Sequence, residues 1–216
     1  MTMIPILFQD PFFVVLNKPP GLAVHPGPRG GPSVEDFFPQ LSRRKDGPWL
    51  AHRLDADTSG CLVVALRKAA LIAAQQAFAA GRADKTYWAI VAGIPKTDSG
   101  VVTTKLLRKT SPAGWRMIVS DAGQASETQW EILGRGPGIA WVQFRPRTGR
   151  THQIRVHAAH LGWPILGDPI YGATPDPAAR LHLLARAIRL DLDPPVIAQA
   201  PPPEHMLPAL RSCGFS

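Results

Sequence analysis

The apolar positions of this chain fall mostly in short runs separated by turn residues, a pattern of strands more than of helices. Ile4 to Leu16 alternates brief apolar runs around Gln9-Asp10-Pro11, which predicts a strand, a turn and a second strand over Phe12–Leu16. Cys61–Leu66 is an unbroken apolar run of buried-strand length, and Lys85–Ala92 is rich in β-branched and aromatic residues. Val101–Leu107, Trp115–Val119, Ser126–Leu133, Ile139–Phe144 and Arg180–Leu192 read as further strands. Gly134-Arg135-Gly136-Pro137-Gly138 is a turn and not a dinucleotide fingerprint, because a strand follows it where a helix would have to.

Helical signals are fewer. Ser33-Val34-Glu35-Asp36 caps a short helix ending near Leu41. Lys68–Ala80 is alanine-rich, stops at Gly81, and sets Leu71, Ala74 and Phe78 at helical spacing to lie on a sheet. Thr151 can cap a helix running to Leu161 with Ile154, Ala158 and Leu161 as its apolar face, and a last short helix lies near Glu204–Leu210. Strands dominate and are mostly sequential. The expected fold class is therefore α+β, a large mixed, mainly antiparallel β-sheet with flanking helices, in one domain over residues 1–216.

Composition narrows the partners. With 45% hydrophobic and 19% charged residues the chain is ordinary for a globular protein, which excludes wholesale disorder. Net charge is +8 and the pI about 10.1, a balance that suits a polyanion such as nucleic acid. The 19 glycines and 23 prolines gather at 19–32, 162–177 and 194–208, predicting long ordered loops. Two cysteines, Cys61 and Cys213, make neither a disulfide framework nor a zinc site. No leader pattern opens the chain and no run approaches the roughly 18 apolar residues of a membrane span, so a cytoplasmic protein without membrane contact is expected.

Chemistry concentrates in two stretches. His52-Arg53-Leu54-Asp55-Ala56-Asp57-Thr58-Ser59-Gly60 puts two carboxylates, a guanidinium, an imidazole and two hydroxyls directly before the apolar run at Cys61. Side chains at the mouth of a core strand are held rigidly. In an extended segment Arg53 and Asp55 share a face. Asp57 through Gly60 has turn chemistry that both aspartates could serve, a reading that suits Asp57 better than Asp55, which stands ahead of the turn. The second stretch is Arg145–His157, where a strand gives way to a loop and then a helix. Arg147, Arg150, His152 and Arg155 stand there, with His157 on the apolar side as a core histidine. It is not a P-loop, since Phe144 occupies the place of the first glycine.

These strings resemble the motifs of the RluA-type RNA pseudouridine synthases. His52–Gly60 is similar to that family's His-Arg-Leu-Asp-x-x-Thr-Ser-Gly signature. Asn17-Lys18-Pro19-Pro20-Gly21-Leu22-Ala23-Val24-His25 resembles its first motif, and Lys85-Thr86-Tyr87 its Lys-x-Tyr element. Thr148–His157 matches Thr-Gly-Arg-[Ser/Thr]-His-Gln-[Leu/Ile]-Arg-Val-His at every position, and Gly162–Gly172 is like the family's Gly-x-Pro-Ile-x-Gly-Asp-x-x-Tyr-Gly loop. One departure stands out: in Arg180–Ala185, Leu184 occupies a position that is usually histidine, while Leu183 is retained. The resemblance runs from about residue 6 to Gly214 and implies a minimal member, with the family's sheet fold and without an N-terminal S4 module.

The resemblance further implies the activity and its residues. Uridine in structured ribosomal or transfer RNA would be flipped out and isomerised by breaking the C1′–N1 bond, turning the base and joining C1′ to C5. Asp55 would be the essential carboxylate, as nucleophile or as base toward the ribose. Arg155 would pair with Asp55 and hold it ionised. Tyr87 would stack on the base and offer a phenol for proton transfer. Arg53 would wedge into the vacated space, His52, Thr58, Lys18, Lys85, Arg147, Arg150 and His152 would contact RNA, and Leu183 would back the site. Such chemistry needs no cofactor and no metal, and the enzyme is expected to be a monomer acting on stem-loops. The rivals are an RNA-binding or ribosome-assembly protein with little catalytic role, and a metal-dependent nuclease, for which no His-Glu-x-x-His pattern exists.

Overall fold

The computed structural model describes residues 3–27, 30–44, 46–112, 114–172 and 179–216. Parts of two expected loops, at 28–29 and 173–178, lie outside the described residues, as does Lys45 of the basic triplet after the first helix. The first half of the chain forms β1 (Ile6–Gln9), β2 (Phe13–Lys18), α1 (Phe38–Leu41, entered through a 3-10 turn at Val34–Phe37), β3 (Trp49–Leu50), β4 (Ser59–Ala65), α2 (Lys68–Ala79) and β5 (Ala83–Ala92). There follow β6 (Ser99–Ser111), β7 (Gly114–Val119), β8 (Gln124–Gly136), β9 (Ile139–Pro146), α3 (Gln153–His160), β10 (Leu183–Leu190), β11 (Val196–Gln199) and α4 (Leu207–Ser212).

These elements divide into two compact units, one of Met1–Lys85 with Leu184–Pro203, the other of Thr86–Leu183 with Glu204–Ser216. The fold is mixed and mainly antiparallel with few helices, the class the strand pattern predicts. In the first unit β4 is the axis. Its seven residues, Ser59 to Ala65, are all buried, so the apolar run expected there has no solvent face. β2 lies antiparallel to it from Phe13 opposite Ala65 to Lys18 opposite Gly60, and β1 continues beyond β2. On its other side β4 meets β10 in parallel at Ser59 and Gly60, then β3 antiparallel at Val64 and Ala65. β11 extends the sheet from β10. Gly60 is required at this crossing: its φ is +105°, and a Cβ there would run into the carbonyl of Ala185. The buried stripe of α2 is Ala70, Ala74 and Ala77, not the Leu71, Ala74 and Phe78 face expected, because small side chains let the helix lie close to the sheet while the larger ones flank it.

The second unit is an antiparallel run, β5–β9–β8–β6–β7. Ala89, Val91, Val142, Phe144 and Trp130 form one side of its core, and α3 contributes Ile154 and Ala158, with Leu161 packed against them, as its apolar face predicts. That helix is buried nearly all round, from Gln153 to Ala158, so its polar side chains are bonded inside the protein. Core His157 shows how: Nε2 bonds the hydroxyls of Thr104 and Ser126 at 3.0 Å, and Nδ1 that of Thr128 at 2.9 Å. Burial, with the charge of His160 nearby, lowers its pKa from 6.5 to about 4. β3 and β11 are additions to the expected elements. Among the described residues no helix is long and apolar enough to cross a membrane.

Candidate active site

In the first unit the signature closes on itself. The Thr58 N–H donates to the Asp55 carbonyl at 3.1 Å, making a four-residue turn that delivers the chain into β4. Asp55 thus opens the turn where it was expected to precede it, and Ser59 and Gly60, expected in the turn, already belong to the strand. The carbonyl of Ala56, inside that turn, accepts two bonds from the Pro/Gly loop that follows β2: Gly21 N–H at 2.9 Å and Lys18 Nζ at 2.6 Å. Lys18 also donates to the carbonyls of Pro19 and Leu22, each at 2.8 Å. Three carbonyls thus take the three donors of one ammonium, and the turn carrying Asp55 is tied to the loop beside it.

Lys18 is therefore not the phosphate contact it was expected to be. It is fully buried, and burial lowers its pKa from 10.5 to about 7 against the opposing pull of the Asp57 and Asp55 carboxylates. His52 and Thr58 also differ from expectation. The His52 Nε2 accepts the Val63 N–H at 3.0 Å and its ring packs 5.2 Å from Phe78, so the imidazole serves β4 and α2. Burial and the nearby Lys85 charge hold its pKa at about 4, so it is neutral and carries no charge for a phosphate. Thr58 is buried at the start of the strand. Arg53 is exposed and Asp55 half-buried, while Lys85 is half-buried with its pKa lowered by burial.

The second unit holds the other expected residues. Tyr87 sits in β5 opposite Phe144, half-buried against the core, and Leu183 is buried in that same core. Arg155 is buried, and its Nε and Nη2 each donate to the Asp168 carboxylate at 2.8 Å. Asp168 in turn accepts the N–H groups of Ile170 and Tyr171 at 2.9 and 3.0 Å. Burial alone would raise its pKa, but the hydrogen bonds and charge of Arg155, with those two N–H groups, hold it below the ordinary carboxylate value. Arg155 also lies 5.3 Å from the centre of the Tyr171 ring, whose hydroxyl accepts Met117 N–H and bonds His152 Nδ1, both at 2.9 Å.

The loop before α3 is set by Gln153. Its Oε1 accepts from Thr148 and from Arg150 N–H at 2.7 and 3.0 Å, and its Nε2 donates to Glu127 and Thr128, each at 2.9 Å. The cap differs from the one expected: α3 begins at Gln153, and His152, not Thr151, stands at its start, in the left-handed region with φ 53°. That turn aims His152 at Trp115 and Tyr171. Arg147 and Arg150 are exposed at the loop's edge.

Comparison with known proteins decides the family. The model of the RNA pseudouridylate synthase family matches residues 12–160, which contain the Asp55 turn, the Tyr87 strand and the Arg155 helix. The chain belongs to this family, whose members are isomerases. An uncharacterised RNA pseudouridine synthase of Zymomonas mobilis is 42% identical over 217 residues, covering 97% of each chain. The ribosomal large subunit pseudouridine synthase C of Yersinia pestis is 40% identical over 168 residues, 77% of this chain but 52% of that one, so this chain spans about half of that relative. The solved structure of human RNA pseudouridylate synthase domain containing 4 superposes with a TM-score of 0.81 at 28% identity, over 96% of this chain and 92% of the other.

Two parts of this synthase's machinery were not assigned from its sequence. Asp168 stood in the Gly-Asp loop, but nothing local ties it to Arg155, thirteen residues earlier. Gln153 reads as one polar residue of a helix, and only the fold shows that it is buried and holds four groups.

Proposed function

We propose that this synthase isomerises uridine to pseudouridine in a flipped-out loop nucleotide of structured RNA, with Asp55 as the residue acting on the ribose. Tyr87 serves the same nucleotide as a stacking face and proton-transfer phenol, Arg155 as the cation of the Asp55 carboxylate, and Arg53 as the wedge. Lys85, Arg147, Arg150 and His152 serve the RNA; Lys18, His52 and Thr58 serve the scaffold of Asp55. The observation that carries this reading is the fixing of the Asp55 turn, through the Ala56 carbonyl, by a fully buried ammonium. A carboxylate that must act on one atom of a sugar gains from such immobility. The ribosomal names of relatives such as the Yersinia protein favour ribosomal RNA stem-loops, ahead of transfer RNA, as substrate. The protein works as a monomer in the cytoplasm, on a chemistry that calls for no cofactor.

Joining C1′ to C5 releases the C5 proton to water, and this gives the test. Bulk RNA carrying tritium at C5 of uridine is incubated with wild type and Asp55→Asn, with chelator present. Release by the wild type alone is the expected result. Equal release by both would show that Asp55 is a turn residue only, and release abolished by chelator would show a metal-dependent reaction. Release from no RNA in a panel of unmodified transcripts, with binding intact, would leave an RNA-binding protein.

A further inference from the structure

The β6–β7 hairpin carries charge and an aromatic surface that the catalytic reading does not use. From Ser99 to Ser120 the sequence holds Lys105, Arg108, Lys109 and Arg116 and no acidic residue. All four cations are exposed. Trp115, near the hairpin's tip, is 40% exposed. It is held flat: the His152 ring stacks on it with centroids 5.0 Å apart and planes 25° apart, and the Arg108 guanidinium lies over it at 4.6 Å. His152 is locked in its turn by its left-handed backbone and by the Tyr171 hydroxyl, itself held by Met117. A rigid, layered stack of guanidinium, indole and imidazole is thus kept at the surface.

This stack borders a cleft of about 480 Å³, a volume in the range of small-ligand sites and large enough for a nucleotide. Among the residues lining it are Arg108, Trp115 and Met117 of the hairpin and Gln124, Arg150 and Thr151 beyond it. Arg150 is anchored there by its Nε on the Ala125 carbonyl at 3.1 Å, which sets its guanidinium at the cleft. A guanidinium plane backed by an indole, with a second arginine across the cleft, is suited to an anionic ligand with a flat ring. Bases stack on aromatic faces and on guanidinium planes, and only an unpaired base has a face to offer.

We propose that this cleft is a second nucleotide site, which takes one unpaired base of the substrate RNA other than the uridine being modified. The base stacks on the outer plane of the Arg108 guanidinium, which Trp115 backs, and Arg150 meets the adjoining phosphate. The site makes the enzyme select loops with an additional splayed base. The proposal rests on the reading of this chain as an RNA synthase, but its test is separate from catalysis.

The probe is a short oligoadenylate carrying 2-aminopurine, which contains no uridine. Its binding is followed by quenching of the fluorescent base and by anisotropy. Trp115→Ala should weaken binding by about 10-fold or more, in line with the stacking contribution of one base, and should abolish the quenching. Trp115→Phe, which keeps a flat ring, should retain binding within a few-fold, while Trp115→Leu, which keeps bulk but no ring, should behave like alanine. Arg150→Ala should reduce the salt dependence of binding by about one phosphate contact without removing the quenching. An abasic ribophosphate chain should bind wild type and Trp115→Ala alike. Wild-type affinity and quenching in Trp115→Ala, or equal binding by the Phe and Leu variants, would overturn the stacking site. Quenched oligoadenylate with no tritium release from any RNA would sink the catalytic reading and leave this site standing.

Discussion

The buried pair of Arg155 and Asp168 gives the sharpest quantitative expectation. Asp168→Ala removes two charge-assisted bonds at 2.8 Å from a guanidinium that is 2% exposed. Breaking a buried pair on one side costs about 3–5 kcal/mol, because these two bonds no longer offset the desolvation of the remaining charge. For a chain of this length each kcal/mol lowers Tm by about 2–4 °C, so the expected drop is about 6–20 °C. Asp168→Asn keeps oxygen and shape but lowers the strength of both bonds, and should cost about half as much. Arg155→Met with Asp168→Ala should be more stable than the two single losses added together, with a coupling of about 1–3 kcal/mol. The assay is thermal and urea unfolding at pH 7. That pH is chosen by sign: the carboxyl's folded pKa is depressed, so its contribution is present above the ordinary value of 3.8 and lost as pH falls below it. An Asp168→Ala protein melting within about 2 °C of wild type, or strictly additive losses, would refute the argument.

Two other perturbations follow from the fold. Gly60→Ala forces a side chain into a left-handed position against the Ala185 carbonyl, and should lower stability by about 2 kcal/mol or more; an unchanged melting curve would disprove the close approach. His52 and His157 both stay neutral in the folded protein down to about pH 4, against 6.5 when unfolded, so stability should fall with acid between pH 6.5 and 4. Urea midpoints measured across that window would show it, and a midpoint independent of pH would refute it.

Much of the architecture was legible because local pattern and tertiary demand agree. β4 reads as a buried strand since its run is apolar throughout, and α2 was placed to within a residue by alanine content and Gly81. The errors arise where long-range contacts override local meaning. A lysine beside two prolines and a glycine reads as a solvated turn residue; Lys18 is buried because the Ala56 carbonyl, 38 residues on, completes its set of acceptors. His52 fits a phosphate contact until the Val63 N–H is found on its ring, and Thr151 fits a helix cap until His152 takes up a backbone conformation no sequence rule assigns it. β3 escapes notice because two residues carry no periodicity, and β11 because it lies between prolines. The Asp55 motif is legible as a motif because it is contiguous in the sequence.

The division of the chain has a consequence for its birth on the ribosome. Neither unit is a continuous segment: the polypeptide leaves the first inside β5 after Lys85 and returns to it only at Leu184. β4 therefore emerges long before β10, the strand that receives its first residues in parallel. At elongation rates of about 5–20 residues per second, the intervening stretch takes roughly 5–20 s to appear. Through that interval a strand buried on every residue in the finished protein waits beside a missing neighbour. The nascent chain is then a natural client for holding chaperones, and a synonymous codon change that slows translation between residues 86 and 183 should lower soluble yield without altering the protein made.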